Sequence, residues 1–141
     1  MQNKKLIQDY LTRGANRYQA LELLFRLESY ADVVRESQEL VELCLKAILR
    51  SAGIEPPRLH DLSDVLLEHV SRFPKPFEGH LKKMAKISHT LRRDRELSFY
   101  GSEDLTPSEF YSQADAVEAR DNAAYVLKWS QQLAAGKAKQ K

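Results

Sequence analysis

The chain has 141 residues, the size of one domain, and can bury roughly two-thirds of the surface that its unfolded form exposes. Its 22 Lys and Arg against 20 Asp and Glu give a net charge of +2, too small to indicate nucleic-acid binding from bulk electrostatics. Cys44 is the only cysteine, so an internal disulfide is excluded and we expect a small core side chain. Residues 1–10 lack a signal-peptide core and no apolar run reaches membrane-spanning length, so we expect a cytoplasmic protein without membrane contact.

The first predicted helix covers residues 15–27, where apolar side chains recur at helical spacing. A shorter helical segment is expected before it, ahead of Gly14. The inner face of the first helix is predicted to comprise Tyr18, Leu21, Leu23, Leu24, Phe25 and Leu27.

A second helix is predicted to begin near Tyr30 and to end before Gly53. Apolar residues recur along it every three or four positions, and the opposite side is charged. The inward stripe comprises Tyr30, Val33, Val34, Ser37, Leu40, Val41, Cys44, Leu45 and Ile48. Gly53 can adopt the left-handed conformation that ends a helix, and Pro56 and Pro57 prevent the helix from continuing.

A third and a fourth helix follow in the middle of the chain. The third is predicted to begin near Asp61, whose carboxylate is expected to cap it, and to end before Pro74. The inner face of this third helix is expected to comprise Leu62, Val65, Leu66, His69 and Val70. After a predicted loop at residues 73–79, the fourth helix is expected to run to about Arg95. Its inner face is predicted to comprise Leu81, Met84, Ala85, Ser88 and Leu91.

The segment Thr106-Pro107-Ser108-Glu109 combines an N-cap, a proline at the first helical position and a glutamate three residues after the cap. The last helix is therefore predicted to begin there, with an inner face of Phe110, Ala114, Val117, Ala124 and Tyr125. Residues 134–141 are polar and basic, so we expect a disordered tail. The sequence predicts one all-α domain at residues 1–133, an antiparallel bundle of four to five main helices.

The side chains best suited to binding lie on the fourth helix. Lys82, Lys86, His89 and Arg93 fall within about 60° of one another around the helix, which makes one basic ridge. Such rows are also typical of solvated helix surfaces, so the ridge alone does not identify a phosphate site. We expect neither a metal nor a cofactor, because the four histidines are not paired at ligand spacing and a second cysteine is absent.

Arg92 and Arg95 lie at the two edges of the apolar sector of the same helix. A helix that continues to Arg95 would aim both guanidinium groups toward the core or a groove, where an unpaired charge is unfavourable. One interpretation is a structural contact with Asp121 on the last helix. The other is an arginine pair that binds phosphate in a bidentate manner, with Tyr100 supplying a hydroxyl or a stacking face.

Three parts of the chain together resemble a known family. They are residues 29–42 and 45–47 followed by Pro56-Pro57 and His60-Asp61-Leu62, then the segment Leu91-Arg92-Arg93-Asp94-Arg95-Glu96-Leu97-Ser98-Phe99-Tyr100-Gly101, and then residues 114–124. The combination resembles the HEPN family (higher eukaryotes and prokaryotes nucleotide-binding). The resemblance implies a helical bundle that is usually a homodimer. It also implies a frequent pairing with a minimal nucleotidyltransferase in toxin–antitoxin or defence systems.

Many HEPN proteins are metal-independent ribonucleases that use an arginine followed four to six residues later by a histidine. Here no histidine follows Arg92, Arg93 or Arg95 at any distance. Tyr100 stands near the expected position, but a tyrosine whose pKa is about 10 is a poor general base at neutral pH. The resemblance therefore implies an anion-binding arginine site, and the missing histidine argues against ribonuclease activity.

The leading hypothesis is a non-enzymatic HEPN protein that binds a nucleotide or an RNA phosphate. It would act as a homodimer with a minimal nucleotidyltransferase, as in a toxin–antitoxin pair. The expected ligand-binding residues are Arg92, Arg93, Arg95, Tyr100, Lys86 and His89. One alternative is a ribonuclease with an atypical acid or base, such as Tyr100 or His89 reached across the dimer. The other is a purely structural interaction module.

Overall fold

The computed structural model shows an all-α bundle, as the sequence predicts. It describes residues 2–58, 61–100 and 106–139, and the side chains of residues 3–58, 61–91 and 106–136. Within these residues the secondary structure is helical and contains no strand. The elements are α1 (Gln2–Arg26), α2 (Tyr30–Ser51), α3 (Ser63–Glu68), two short 3-10 turns (Val70–Arg72 and Lys75–Phe77), α4 (Glu78–Tyr100), α5 (Pro107–Phe110) and α6 (Gln113–Lys139).

Helix α2 is the centre of the bundle and packs against α1, α4 and α6. Its predicted stripe is confirmed, because every member is buried except the half-buried Tyr30. Burial also extends beyond that stripe to Ala31, Gln38, Leu43, Ala47 and Leu49. A helix enclosed on three sides buries a wider arc than a helix at the surface, which explains the extra positions.

The long helices are mostly antiparallel to their neighbours. In α1 and α2, Asn3 donates a hydrogen bond to the carbonyl of Arg50, while Arg17 pairs with Glu36 at 2.7 Å, so the two helices run in opposite directions. Between α1 and α6, Glu22 lies 3.6 Å from Arg120. Gly14, which comes earlier in α1 than Glu22, lies close to Leu127, which comes later in α6 than Arg120. These two helices are therefore also antiparallel.

Helix α1 is continuous through Gly14, so the predicted separation into two segments is wrong. A Cβ atom at this position would lie 3.1 Å from Cys44 Sγ and 3.7 Å from Leu127 Cδ1. The glycine therefore lets α1 approach α2 and α6 closely, a tertiary effect that helix propensity does not contain. The predicted inner face is also too wide, because Leu23 is 50% exposed and Leu27 is 66% exposed.

The connection between α2 and α3 agrees with the sequence in part. Gly53 has φ +79°, the left-handed conformation expected after α2. Asp61 Oδ1 accepts hydrogen bonds from the backbone N–H and the hydroxyl of Ser63, the first residue of α3. The N-cap position is Leu62, however, which has no side-chain cap, so Asp61 lies one residue before the position predicted for it. Helix α3 is shorter than predicted and ends at Glu68, and the predicted loop that follows contains the 3-10 turn Lys75–Phe77.

The predicted last helix is two helices. Thr106 caps a start as expected, since its hydroxyl accepts from the Glu109 N–H, but this start belongs to the four-residue α5. Helix α6 has its own cap, in which Ser112 and Asp115 exchange hydrogen bonds. This division changes which residues of α6 face the core, because α6 starts from its own cap and not from Thr106.

The buried face of α6 is consequently not the predicted one. It comprises Ala116, Ala119, Ala123, Val126, Ser130 and Leu133. Of the predicted inner residues, Ala114 is exposed and Phe110, which belongs to α5, is 39% exposed, while Val117, Ala124 and Tyr125 are half-buried. Helix α6 continues to Lys139, past residue 134, and Ala134 packs against the core. The domain boundary at residue 134 stays a prediction.

Candidate functional site

The predicted inner face of α4 is confirmed, because Leu81, Met84, Ala85, Ser88 and Leu91 are all buried. The opposite side of the helix is therefore the outer surface of the bundle. A helix turns by about 100° per residue, so the two sides are fixed relative to each other once one of them is buried.

The outer surface of α4 carries the predicted basic ridge, of which Lys82, Lys86 and His89 are exposed. Lys82 lies 3.9 Å from Glu78, and both side chains are more than half exposed, so this pair contributes little. Lys86 has no ionic partner among the residues whose side chains the structure describes. Lys86 therefore presents positive charge that no described side chain neutralises, whereas Lys82 and His89 each have a carboxylate nearby.

His89 is held by a carboxylate that the sequence prediction did not connect with it. Its Nδ1–H donates to Asp61 Oδ2 at 2.9 Å, although the imidazole is 72% exposed. Burial raises the pKa of the Asp61 carboxyl, but hydrogen bonds from Ser63 and His89 outweigh burial, so the pKa lies below its ordinary value. An ionised Asp61 accepts from Nδ1–H and fixes the orientation of the imidazole ring, while Nε2 stays available to a ligand.

The remaining predicted ligand residues are Arg92, Arg93, Arg95 and Tyr100, and their side chains lie outside the described residues. The backbone of α4 continues as a helix to Tyr100. Position 93 is therefore one helical turn beyond His89 on the same side of α4. The prediction that these four side chains bind a ligand stays a prediction.

The carboxylate proposed as a structural partner, Asp121, lies on α6 with its side chain 69% exposed and 3.8 Å from Arg120 Nε. Two other acidic side chains, Asp115 and Glu118, line a cavity of about 300 Å³ that Thr90 and Leu91 also line. Because Leu91 directly precedes the arginine segment, carboxylates other than Asp121 are near that part of α4.

A second concave surface lies away from α4. A groove of about 580 Å³ separates the first half of α1 from the end of α6, with Ile7, Leu11 and Ala134 among its apolar residues. Among the residues whose side chains the structure describes, Lys4 is the only charged residue that lines it. The described part of this groove therefore offers one positive charge, whereas the α4 ridge offers several.

The described side chains include no group of three His, Cys, Asp or Glu residues placed to hold a metal ion. His69 and His80 make local contacts instead, with the Val65 carbonyl and the Tyr125 hydroxyl respectively. None of the described helices is both long and apolar enough to cross a membrane.

The bundle defines the class of protein as an all-α helical domain. The family follows from a sequence model of the HEPN domain, which matches residues 7–133. The chain therefore belongs to the HEPN domain family. Comparisons with curated proteins and with solved structures find no significant match.

Proposed function

We propose that this HEPN-domain protein binds the phosphate of a nucleotide or of RNA on the outer surface of α4. Lys86 and His89 would contact the phosphate directly, together with Arg92, Arg93, Arg95 and Tyr100 from the next turns of the helix. The His89–Asp61 pair carries this proposal. It holds an exposed imidazole in one orientation, three residues from Lys86, whose ammonium has no ionic partner among the described side chains and favours an anion.

Family membership supports the rest of the proposal. We propose that the protein acts as a homodimer with a minimal nucleotidyltransferase, in a pair of the toxin–antitoxin type. The basic surface of α4 would then contact the nucleic acid or nucleotide, while other surfaces would contact the partner enzyme. Copurification with the product of an adjacent nucleotidyltransferase gene would support this part of the proposal.

A fluorescence-anisotropy titration with labelled single-stranded RNA tests the phosphate site. The titration is done at low and at moderate salt, with ATP as competitor. We expect binding that weakens with salt, because phosphate contacts release counterions, and that ATP displaces. The Lys86→Gln/His89→Gln variant should lose roughly tenfold or more in affinity at low salt.

The matched control is Lys5→Gln, which removes an exposed lysine from α1 instead of α4. It should bind RNA as the wild type does. Equal affinity of all three proteins would contradict the assignment of the site to α4. Absence of RNA and ATP binding by the wild type would contradict phosphate binding itself.

A second candidate function is a metal-independent ribonuclease in which His89 is the acid or base. The observation that favours it is the carboxylate at 2.9 Å, since a carboxylate that holds Nδ1 leaves Nε2 to exchange a proton with substrate. Gel analysis of the RNA tests this ribonuclease activity. Shortened RNA with the wild type, and intact RNA with His89→Gln, would support cleavage, whereas intact RNA with the wild type would exclude it.

A further inference from the structure

An aromatic cluster joins the beginning of α4 to the second half of α6. The ring of His80 stacks on Trp129, with centroids 3.6 Å apart and planes inclined by 17°. Phe77 contacts Trp129 edge-on at 6.3 Å, and a hydrogen bond of 2.5 Å joins His80 Nδ1 to the Tyr125 hydroxyl. All four rings are half-buried rather than enclosed. The cluster is therefore ordered by its own contacts and still reaches the surface.

A lysine covers each of the two α6 rings in this cluster. Lys83 Nζ lies 4.2 Å from the centre of the Tyr125 ring, and Lys128 Nζ lies 5.2 Å from the centre of the Trp129 ring. His80 occupies one face of Trp129, and the ammonium of Lys128 lies near the same ring. Both lysines are exposed, and cation–π contacts at exposed positions are weak. A ligand could displace either lysine from its ring at little cost.

The cluster is continuous with the basic ridge of α4. Lys83 and Lys86 are three residues apart, so they are neighbours on the helix surface. From Lys83 to His89 the helix rises about 9 Å, and Arg93 lies one further turn along. Aromatic rings and a row of cations therefore share one side of the molecule.

This arrangement is the one that proteins use to bind single strands. A basic track follows the phosphates, and aromatic faces stack the bases with little dependence on sequence. We infer that the cluster is a second contact for the ligand of the α4 surface and that this ligand is single-stranded RNA, longer than a mononucleotide, which stacks a base on Trp129. The inference rests on the proposed function and specifies its substrate class. On binding, the base replaces Lys128 over the indole, and the freed ammonium moves to a neighbouring phosphate.

The order already present in the cluster makes such stacking favourable. Trp129 is fixed by His80 on one face and by Phe77 at its edge, so it loses little side-chain freedom when a base stacks on the other face. Packing of α4 on α6 requires the rings but does not require the two lysines. Substitution of the two lysines should therefore affect ligand binding and leave the packing of α4 on α6 intact.

Trp129 is the only tryptophan of the chain, so its fluorescence reports on this cluster alone. The titrants are an oligouridylate of about six nucleotides, within the range that single-strand binding folds cover, and UMP. We expect the oligonucleotide to change Trp129 fluorescence in a saturable and salt-sensitive way, and UMP to leave it unchanged. The Lys83→Gln/Lys128→Gln variant should bind the oligonucleotide several-fold more weakly and bind UMP as the wild type does.

The two proposals fail in different ways. If the oligonucleotide binds and is displaced by ATP, while Trp129 fluorescence stays constant and the double lysine variant binds normally, the second contact is wrong and the α4 site stands. A change in fluorescence with UMP equal to that with the oligonucleotide would also overturn the inference. If the wild type binds neither titrant, both proposals fail. The substituted lysines are exposed, so unfolding is not expected, and circular dichroism checks this.

Discussion

The interface of α1 with α2 and α6 differs from the outer surface of α4, although both follow the helical repeat. The interface is closely packed, whereas the surface of α4 carries exposed charge. At the interface, Gly14 brings α1 so close that Cys44 and Leu127 fill the space a side chain would need. On α4, the exposed Lys86 has no ionic partner among the described side chains, and His89 is held by one carboxylate. The first region is fixed by packing, whereas the second presents charge that packing does not require.

This difference indicates that stability and ligand binding are separable in this protein. Substitutions at the interface should change the free energy of unfolding and leave the affinity of the folded protein for phosphate unchanged. Substitutions on the surface of α4 should do the reverse.

The largest expected effect concerns the thiol of Cys44. Burial raises its pKa to about 12, and a hydrogen bond from Ser130 lowers it by less. Because the thiolate is the reactive form and the side chain is fully buried, alkylation by iodoacetamide at neutral pH should require unfolding. The native protein should react at least about 10³-fold more slowly than the urea-unfolded protein, as a marginal stability of about 5 kcal/mol implies. Equal rates would show that the interface opens readily.

Enlarging Gly14 should destabilise the fold. In Gly14→Val, the added side chain meets Cys44 Sγ at 3.1 Å, and overpacking of this kind costs about 1–3 kcal/mol. Urea denaturation measures the effect. The matched control is Gly79→Ala, where an added Cβ meets nothing within 4 Å, so stability should stay equal or rise by up to about 1 kcal/mol. A stable Gly14→Val protein would contradict the close packing of α1.

Replacing Asp61 should affect both stability and binding, because its carboxylate accepts hydrogen bonds from Ser63 at the start of α3 and from His89 on α4. Asp61→Asn should reduce stability at neutral pH by up to about 1 kcal/mol and weaken RNA binding several-fold. The pKa of Asp61 is lowered in the folded protein, so its contribution is full above the unfolded value of about 3.9. That contribution disappears as the pH falls through the lower folded pKa, and the two proteins should then converge in stability.

The pH dependence separates these two roles of Asp61. His89→Gln keeps the hydrogen bonds from Ser63 to Asp61 and should lose affinity for RNA with little loss of stability. A stability difference between wild type and Asp61→Asn that stays constant down to strongly acidic pH would contradict a lowered Asp61 pKa.

The smallest expected effect is at the end of α1. Glu28 has φ +61°, a left-handed conformation that glycine adopts without strain. It follows a helix end in which the Ser29 N–H donates to the Leu24 carbonyl and the Glu28 N–H to the Phe25 carbonyl. Glu28→Gly should therefore raise the free energy of unfolding by about 0.5–1 kcal/mol. Arg26→Gly, within the helix, should lower the free energy of unfolding by a similar amount. A lower free energy of unfolding in Glu28→Gly than in the wild type would contradict backbone strain at Glu28.

The elements that the sequence predicts well are those whose signals are local. The stripe of α2, the inner face of α4 and the capping threonine before α5 follow from spacing and side-chain chemistry, and the structure confirms them. Gly14 lies inside the continuous helix α1, although helix propensity disfavours glycine there. Its use as a contact with Cys44 depends on another helix, which no local pattern contains.

The errors in α6 and at the site have the same origin. The cap formed by Ser112 and Asp115 restarts the helix and shifts the face that meets the core, so the predicted inner residues are displaced. The pairing of Asp61 with His89 joins residues 28 positions apart, and it arises only when α4 packs beside the start of α3. The sequence could therefore predict the basic ridge but not the carboxylate that orients its histidine.

The most direct test of the central claim is an NMR titration that maps backbone amide shifts as ATP is added. A phosphate site on the outer surface of α4 should give saturable shifts at Lys82, Lys86 and His89, with Ile7 and Ala134 in the groove between α1 and α6 unaffected. Shifts confined to that groove, or no shifts at any residue of α4, would contradict a phosphate site on its outer surface.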